Sequence, residues 1–377
     1  MSTAILDQAR IETATEVLRG GIELIDSLAE EWRALSDENP RQPFCRPEWI
    51  RAYYRCFAPK ATLLVVTVRS SGRLTAVLPL IEEHALFYGL PAQKLSGAVN
   101  IHSYRFDAAC RGGAEGESAI ACIWQALKDL EDWDLIEFAQ MPEDGALASL
   151  MARAQSEGYP TGRRDGQQNA FIPVTGWDGN PDYWLLRSSR HFRHTFRTAA
   201  RKLPEFRFRR VTAATPEDVR AFFDLERSGW KGAEGTAIDC SDATRDFYSE
   251  IADAAGRFGY QSMYFLEADG KPIAAQLGLT YGSRYFALKC AYDESYSLCA
   301  PGHIIVNLIL NDCAQRGLAE FEFLGPVTEW KAKWTNQFHQ LAFFYVFRKN
   351  VYGRMLHAAK FQIATGLRHV VGAETGM

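Results

Sequence analysis

The residues best suited to chemistry lie between Arg284 and Trp334, in RYFALKCAYDESYSLCAPGHIIVNLILNDCAQRGLAEFEFLGPVTEWKAKW. A strand pattern over 285–291 runs into a short loop. A helix then opens on Pro301-Gly302, and a second strand follows over 319–324. Helices are normally capped by Ser, Thr, Asp or Asn, whose side chain accepts a bond from an orphan backbone N–H. Here Cys299 and Ala300 precede the helix, and neither caps well. Pro301 suits the first turn because its missing N–H is not needed there. Gly302 lets another backbone or a ligand come close. The exposed N–H groups and the positive end of the helix dipole make an anion site suited to a diphosphate. A tight turn into an ordinary core helix would use the same Pro-Gly pair, so the surroundings must decide.

The rest of the chain has to position this segment. Its 377 residues suffice for two domains, and 47% hydrophobic residues suffice for large cores. A net charge of −4 sets up no global field toward nucleic acid or anionic lipid, which excludes DNA as a general partner. The eight cysteines include no CxxC pair, and several sit among apolar residues as buried thiols do, pointing to a reducing, cytoplasmic setting. The first residues, with Asp7, Glu12 and Glu16, do not read as a secretory signal, and no apolar run is long enough to span a bilayer. His191 and His194 lack a third ligand at metal spacing, so no metal is expected.

The two halves share an element order. Two helical patterns precede a hairpin over 63–80 that turns at Ser71-Gly72, and two more precede a hairpin over 262–280 that turns at Asp269-Gly270. Ser103-Tyr104-Arg105-Phe106-Asp107, a helix over 118–130 and a strand over 135–139 then correspond to Ala291-Tyr292-Asp293, the helix at Pro301 and the strand after it. Turn-forming residues concentrate over 158–182, which places the join at about 180: an N-terminal domain of residues 1–180 and a C-terminal domain of 181–377. The expected fold class is mixed α/β, with largely antiparallel sheets. Ahead of the second hairpin, Arg190, Arg193, Arg197 and Arg201 stack on one helix face opposite Phe192 and Phe196. That row is either a solvated surface or a seat for an anionic acceptor.

The basic helix SSRHFRHTFRTAARKL, the hairpin LEADGKPIAAQLGL, the segment LKCAYDESYSLCAPGHII and the run FEFLGPVTEWKAKW together resemble a GNAT-superfamily acyltransferase. More narrowly they resemble the CelD-like acetyltransferase family found with exopolysaccharide genes, and more distantly the FemAB aminoacyl transferases, which join two such domains. The resemblance covers roughly residues 185–335, and the first half shows the same plan with weaker motifs. It implies tandem GNAT-like acyl-CoA N-acyltransferase domains, the first degenerate. It also implies acetyl-CoA, or another acyl-CoA, as co-substrate, its diphosphate at Pro301-Gly302-His303. Where the family often has Asp and a tyrosine beside the lysine, this chain has Glu322 and Trp330-Lys331.

Amide formation from a thioester needs a neutral amine, donors for the oxyanion and a leaving thiolate. The resemblance assigns donor binding to the strand with Lys289, Cys290 and Ala291 and to the helix start with Pro301, Gly302, His303 and Ile304. Asp293 and Glu322 are the base candidates, against readings as a loop-ordering group and a solvent-facing strand residue. Lys331 takes the position of the family's lysine. Arg193, Arg197, Tyr292 and Trp330 are assigned to the acceptor. The expected acceptor is an amino sugar of a cell-surface polysaccharide or its precursor, with peripheral association with membrane-bound polysaccharide synthesis machinery. Two other classes stay open: a FemAB-type transferase that takes aminoacyl-tRNA, whose tRNA binding would weaken steeply with salt, and a non-catalytic GNAT-fold binding module.

Overall fold

The computed structural model describes residues 13–229, 235 and 237–363. Strand β1 (Thr13–Gly20) and helices α1 (Ile22–Glu38) and α2 (Pro47–Phe57) lead into the hairpin of β2 (Thr62–Ser70) and β3 (Arg73–Phe87). Strand β4 (Leu90–Gly97), the two-residue β5 (Ala109–Cys110), α3 (Gly113–Asp129), β6 (Leu135–Pro142) and α4 (Leu147–Ser156) follow. A long strand, β7 (Thr161–Pro173), leaves the first half. Helices α5 (Tyr183–Arg187) and α6 (Arg190–Ala200) then precede β8 (Phe206–Val211) and α7 (Pro216–Ser228).

The same plan now repeats. Helix α8 (Asp242–Arg257) precedes the hairpin of β9 (Met263–Ala268) and β10 (Lys271–Tyr281), and β11 (Arg284–Tyr292) follows. Helix α9 (Pro301–Gln315), β12 (Glu320–Glu322), α10 (Glu329–Ala332), β13 (Phe338–Phe347) and α11 (Val351–Ala358) follow. Both hairpins turn through two left-handed residues, Ser71-Gly72 and Asp269-Gly270, the geometry that matches the twist of paired strands. Residues 63–68 of β2 are all buried, because helices cover both faces of the sheet. The sequence pattern also suggests a helix ending at Trp230 and a C-terminal helix carrying Arg368; both residues lie outside the described ones.

Among the described residues the strands form one continuous mixed sheet, ordered β1-β2-β3-β4-β6-β13-β7-β12-β11-β10-β9-β8, with β5 beside β3. Pairing is antiparallel except at β4–β6 and β11–β12. The tandem α/β architecture with a largely antiparallel sheet is thus observed. The segment that reads as a join is itself a strand. β7 runs antiparallel to β13 over residues 161–170, then to β12 over 171–173. β13, from the end of the chain, inserts between β6 and β7 of the first half. Each half therefore completes its sheet with a strand that the other half supplies or shares. No helix among the described residues is long and apolar enough to cross a membrane.

Candidate active site

β11 and β12 begin side by side and then part. Their parallel pairing covers only Arg284–Phe286 against 320–322. Beyond it, Leu324 and Gly325 take left-handed conformations, with φ of 51° and 58°, and turn the chain away. On the other edge of β11 the register with β10 slips at Leu288, where Leu277 faces Lys289 and Gly278 faces Ala287. This bulge re-aims the strand at the point where the sheet opens.

α9 starts at the mouth of the opening. Its cap position, Ala300, is left-handed (φ 52°) and offers no side-chain acceptor, and no acid lies in the first turn. The Gly302 N–H has no acceptor among the described residues, as expected for an open helix start. A cleft of about 390 Å³ lies against it, lined by Leu225, Glu226 and Gly229 of the α7 end, Cys290–Tyr292, Ser297, Ala300–His303, Val306 and Trp330. Seven residues singled out in the sequence meet here: Cys290, Ala291, Tyr292, Pro301, Gly302, His303 and Trp330. His303 accepts a bond from the Trp334 indole (3.1 Å), and burial, helped by the nearby Lys333 charge, lowers its pKa to about 4. It is a neutral wall of the cleft. Ile304 is buried in the core beneath α9 and does not line the cleft.

The carboxylates expected as bases lie elsewhere. Asp293 accepts from the N–H and the hydroxyl of Ser295 (2.9 and 2.7 Å), so it orders the turn after β11. Glu322 is fully buried and forms a two-bond ion pair with Arg105 of the first half (3.0 and 2.6 Å), whose Nε donates to Asn169 (3.0 Å). The solvent-facing reading of Glu322 fails because the first half covers this side of β12, and its carboxylate is engaged by Arg105. His339 stacks on Phe171 and sits 3.0 Å from Glu320 and 3.4 Å from Glu322, so three groups of metal-ligand type converge. Their charge is already balanced by Arg105 and by Arg284, 3.7 Å from Glu320. Among the described residues, the carboxylate that does line the cleft is Glu226, 3% exposed and held by the Ile238 N–H (2.8 Å).

Lys331 follows Trp330 beside the cleft and is not among its lining residues. It is buried and donates to the carbonyls of Leu324 (2.5 Å) and Pro326 (2.9 Å). Burial lowers its pKa to about 8, against the pull of Cys290 and with a further push from the Lys289 charge. Lys289 lies over the Tyr248 ring, 5.4 Å from its centre. The first half closes the group. Tyr104 donates to the Leu288 carbonyl at the bulge, and its hydroxyl meets that of Tyr248 at 3.4 Å, as does His102 Nδ1. Burial, then the Lys289 charge, lowers the His102 pKa to about 4.

Arg193 and Arg197 stand apart from the cleft lining. Arg193 reaches the Ser188 carbonyl (3.4 Å) and Arg197 pairs with Asp182 (2.5 Å). Of the groups that sequence reasoning passed over, Tyr104 and Arg105 belonged to a segment already matched to 291–293, whereas Glu226 carried no signal beyond an amphipathic helix.

Residues 190–332 match the model of the acetyltransferase (GNAT) domain. No curated protein matches the chain. Among solved structures, FemX is similar with a TM-score of 0.58 and 12% identity, over 91% of this chain and 100% of that one. The C-terminal domain of a putative lysylphosphatidylglycerol synthetase from Agrobacterium fabrum gives 0.53 and 12%, over 88% and 95%. L-PGS from Bacillus licheniformis gives 0.51 and 10%, over 89% and 96%. Residues 190–332 of the second half are therefore similar to a GNAT acetyltransferase domain, and the whole mixed sheet has a fold that these structures share.

Proposed function

We propose that the chain is an acyl-CoA-dependent N-acyltransferase that acylates an amino sugar of a cell-surface polysaccharide or its precursor, with acetyl-CoA as the expected donor. One observation carries the reading: an uncapped helix start, Pro301-Gly302, flanks a cleft where β11 parts from β12. The diphosphate sits on the helix start and the thioester lies along the bulged part of β11. The acceptor amine enters between the halves, attacks the thioester carbonyl and gives its proton to Glu226. Lys331 offers its remaining N–H to the oxyanion, and the CoA thiolate leaves. Positioning of the two substrates supplies most of the rate, so no covalent enzyme intermediate is needed. The amino-sugar assignment rests on the resemblance of the second half to polysaccharide-associated acetyltransferases.

Donor binding is expected once per chain. The corresponding helix of the first half, α3, carries Glu115 in its first turn, which repels a diphosphate. Calorimetry with acetyl-CoA should give one site, and two equivalent sites would contradict the assignment. The same titration with aminoacyl-tRNA tests the FemAB-type alternative. Tight tRNA binding without acetyl-CoA binding would replace the proposed donor.

Lys331→Met should lower acceptor turnover tenfold to about a hundredfold, the worth of a charge-assisted hydrogen bond of about 1.5–3 kcal/mol. Acetyl-CoA affinity should stay within about threefold. A lysine with a lowered pKa loses its ammonium form as pH rises through about 8. The ratio of wild-type to Lys331→Met rate, which cancels the acceptor's own titration, should therefore fall above that pH. A ratio that rises instead would make Lys331 a base.

A further inference from the structure

The outer face of α6 has no role in the chemistry above. Between residues 186 and 211 stand nine arginines and lysines and one acid, Glu205, in a chain of net charge −4. Arg190, His194, Arg197 and Arg201 share the exposed side of α6, while Phe192 and Phe196 pack inward on Trp334, with ring centres 5.1 and 6.3 Å away. Arg197 is matched by Asp182. Among the described residues Arg190, Arg201 and Lys202 pair with no carboxylate. A row of like charges weakens a helix unless anions lie opposite it.

A second feature adjoins this row. The 3-10 turn Glu294–Cys299 packs beside α6 and projects Leu298, 73% exposed, while Leu186 on α5 is 43% exposed. Glu294 of the same turn is directed toward Gly229. Ser297, next to Leu298, lines the cleft.

We propose that α6 and Leu298 seat the protein on an anionic lipid surface, with the cleft mouth at the membrane. A basic helix beside a protruding aliphatic side chain fits the boundary between acidic headgroups and acyl chains. Single-stranded nucleic acid would use the same charge but also aromatic platforms for its bases, and the aromatics of α6 are buried. The surface would take its acceptor from the membrane, and this docking is separable from the acyl-transfer reading.

The test is sedimentation with vesicles of equimolar phosphatidylcholine and phosphatidylglycerol, against phosphatidylcholine alone. Wild type should bind only the acidic vesicles, and less as salt is raised. Leu298→Asp, and separately Arg190→Glu with Arg201→Glu, should each weaken binding about tenfold or more. Circular dichroism and acetyl-CoA titration of both variants distinguish a lost surface from a lost fold or donor site. No binding to acidic vesicles, equal binding by the variants, or an RNA hairpin that binds more tightly and is lost with the same substitutions would overturn the proposal.

Discussion

Gly302→Glu is expected to abolish acetyl-CoA binding while the protein stays folded, for reasons of geometry and charge. Gly302 stands in the first turn of α9, at the wall of the cleft. A Cβ built there meets nothing closer than a Tyr292 ring carbon at 3.5 Å, an ordinary contact. Gly302→Ala should therefore change affinity by no more than about threefold. Glutamate extends a carboxylate into the space and places negative charge at the positive end of the helix, where the donor's diphosphate is proposed to sit. A loss of at least about a hundredfold is expected by calorimetry. Affinity close to wild type in Gly302→Glu would move the donor away from α9.

Arg105→Met should be the most damaging single change to stability. Arg105 is 4% exposed and Glu322 fully buried, so removing the guanidinium strands a carboxylate inside the protein. Such a loss costs about 3–5 kcal/mol, whereas replacing both partners by apolar side chains costs much less. Urea unfolding should show a large loss for Arg105→Met and recovery of most of it in Arg105→Met with Glu322→Leu. Burial already raises the Glu322 carboxyl against the pull of Arg105. Without Arg105 the folded-state value rises further above the unfolded one, so the folded variant binds the extra proton. Its stability is then greatest at acidic pH and is lost as pH rises through the folded value. A cost below about 1 kcal/mol in the single variant would show that the pair is not what ties the halves together.

The parts that sequence reading captures are local. The hairpins at Ser71-Gly72 and Asp269-Gly270 announce themselves through turn residues, and α9 through Pro301. β7 gives no such signal. Its first half, TGRRDGQQ, is polar and partly exposed, and it is a strand because β13 lies beside it. β13 carries a strand composition in FHQLAFFYVF, but nothing local says that it crosses into the other half. The candidate site divides the same way. The cleft wall from Cys290 to His303 lies close together in sequence and is legible. The groups around it, Tyr104, Tyr248, Glu226 and Lys331, come from four separate places, and only the fold assembles them. Asp293 and Glu322 mislead because a carboxylate beside a cleft and one turned into a loop or an ion pair look alike in one dimension.

The placement of β13 also constrains how the protein is made. β6 is complete once residue 142 is synthesised, yet its neighbour in the sheet spans 338–347. At ordinary elongation rates the gap is on the order of ten seconds or more. For that interval β6 presents unpaired backbone, the kind of edge on which nascent chains associate with one another. A chaperone, or transient pairing of β6 with β7 in the place later taken by β13, would have to shield it. The order of assembly is thus opposite to the order of synthesis: the first half closes last.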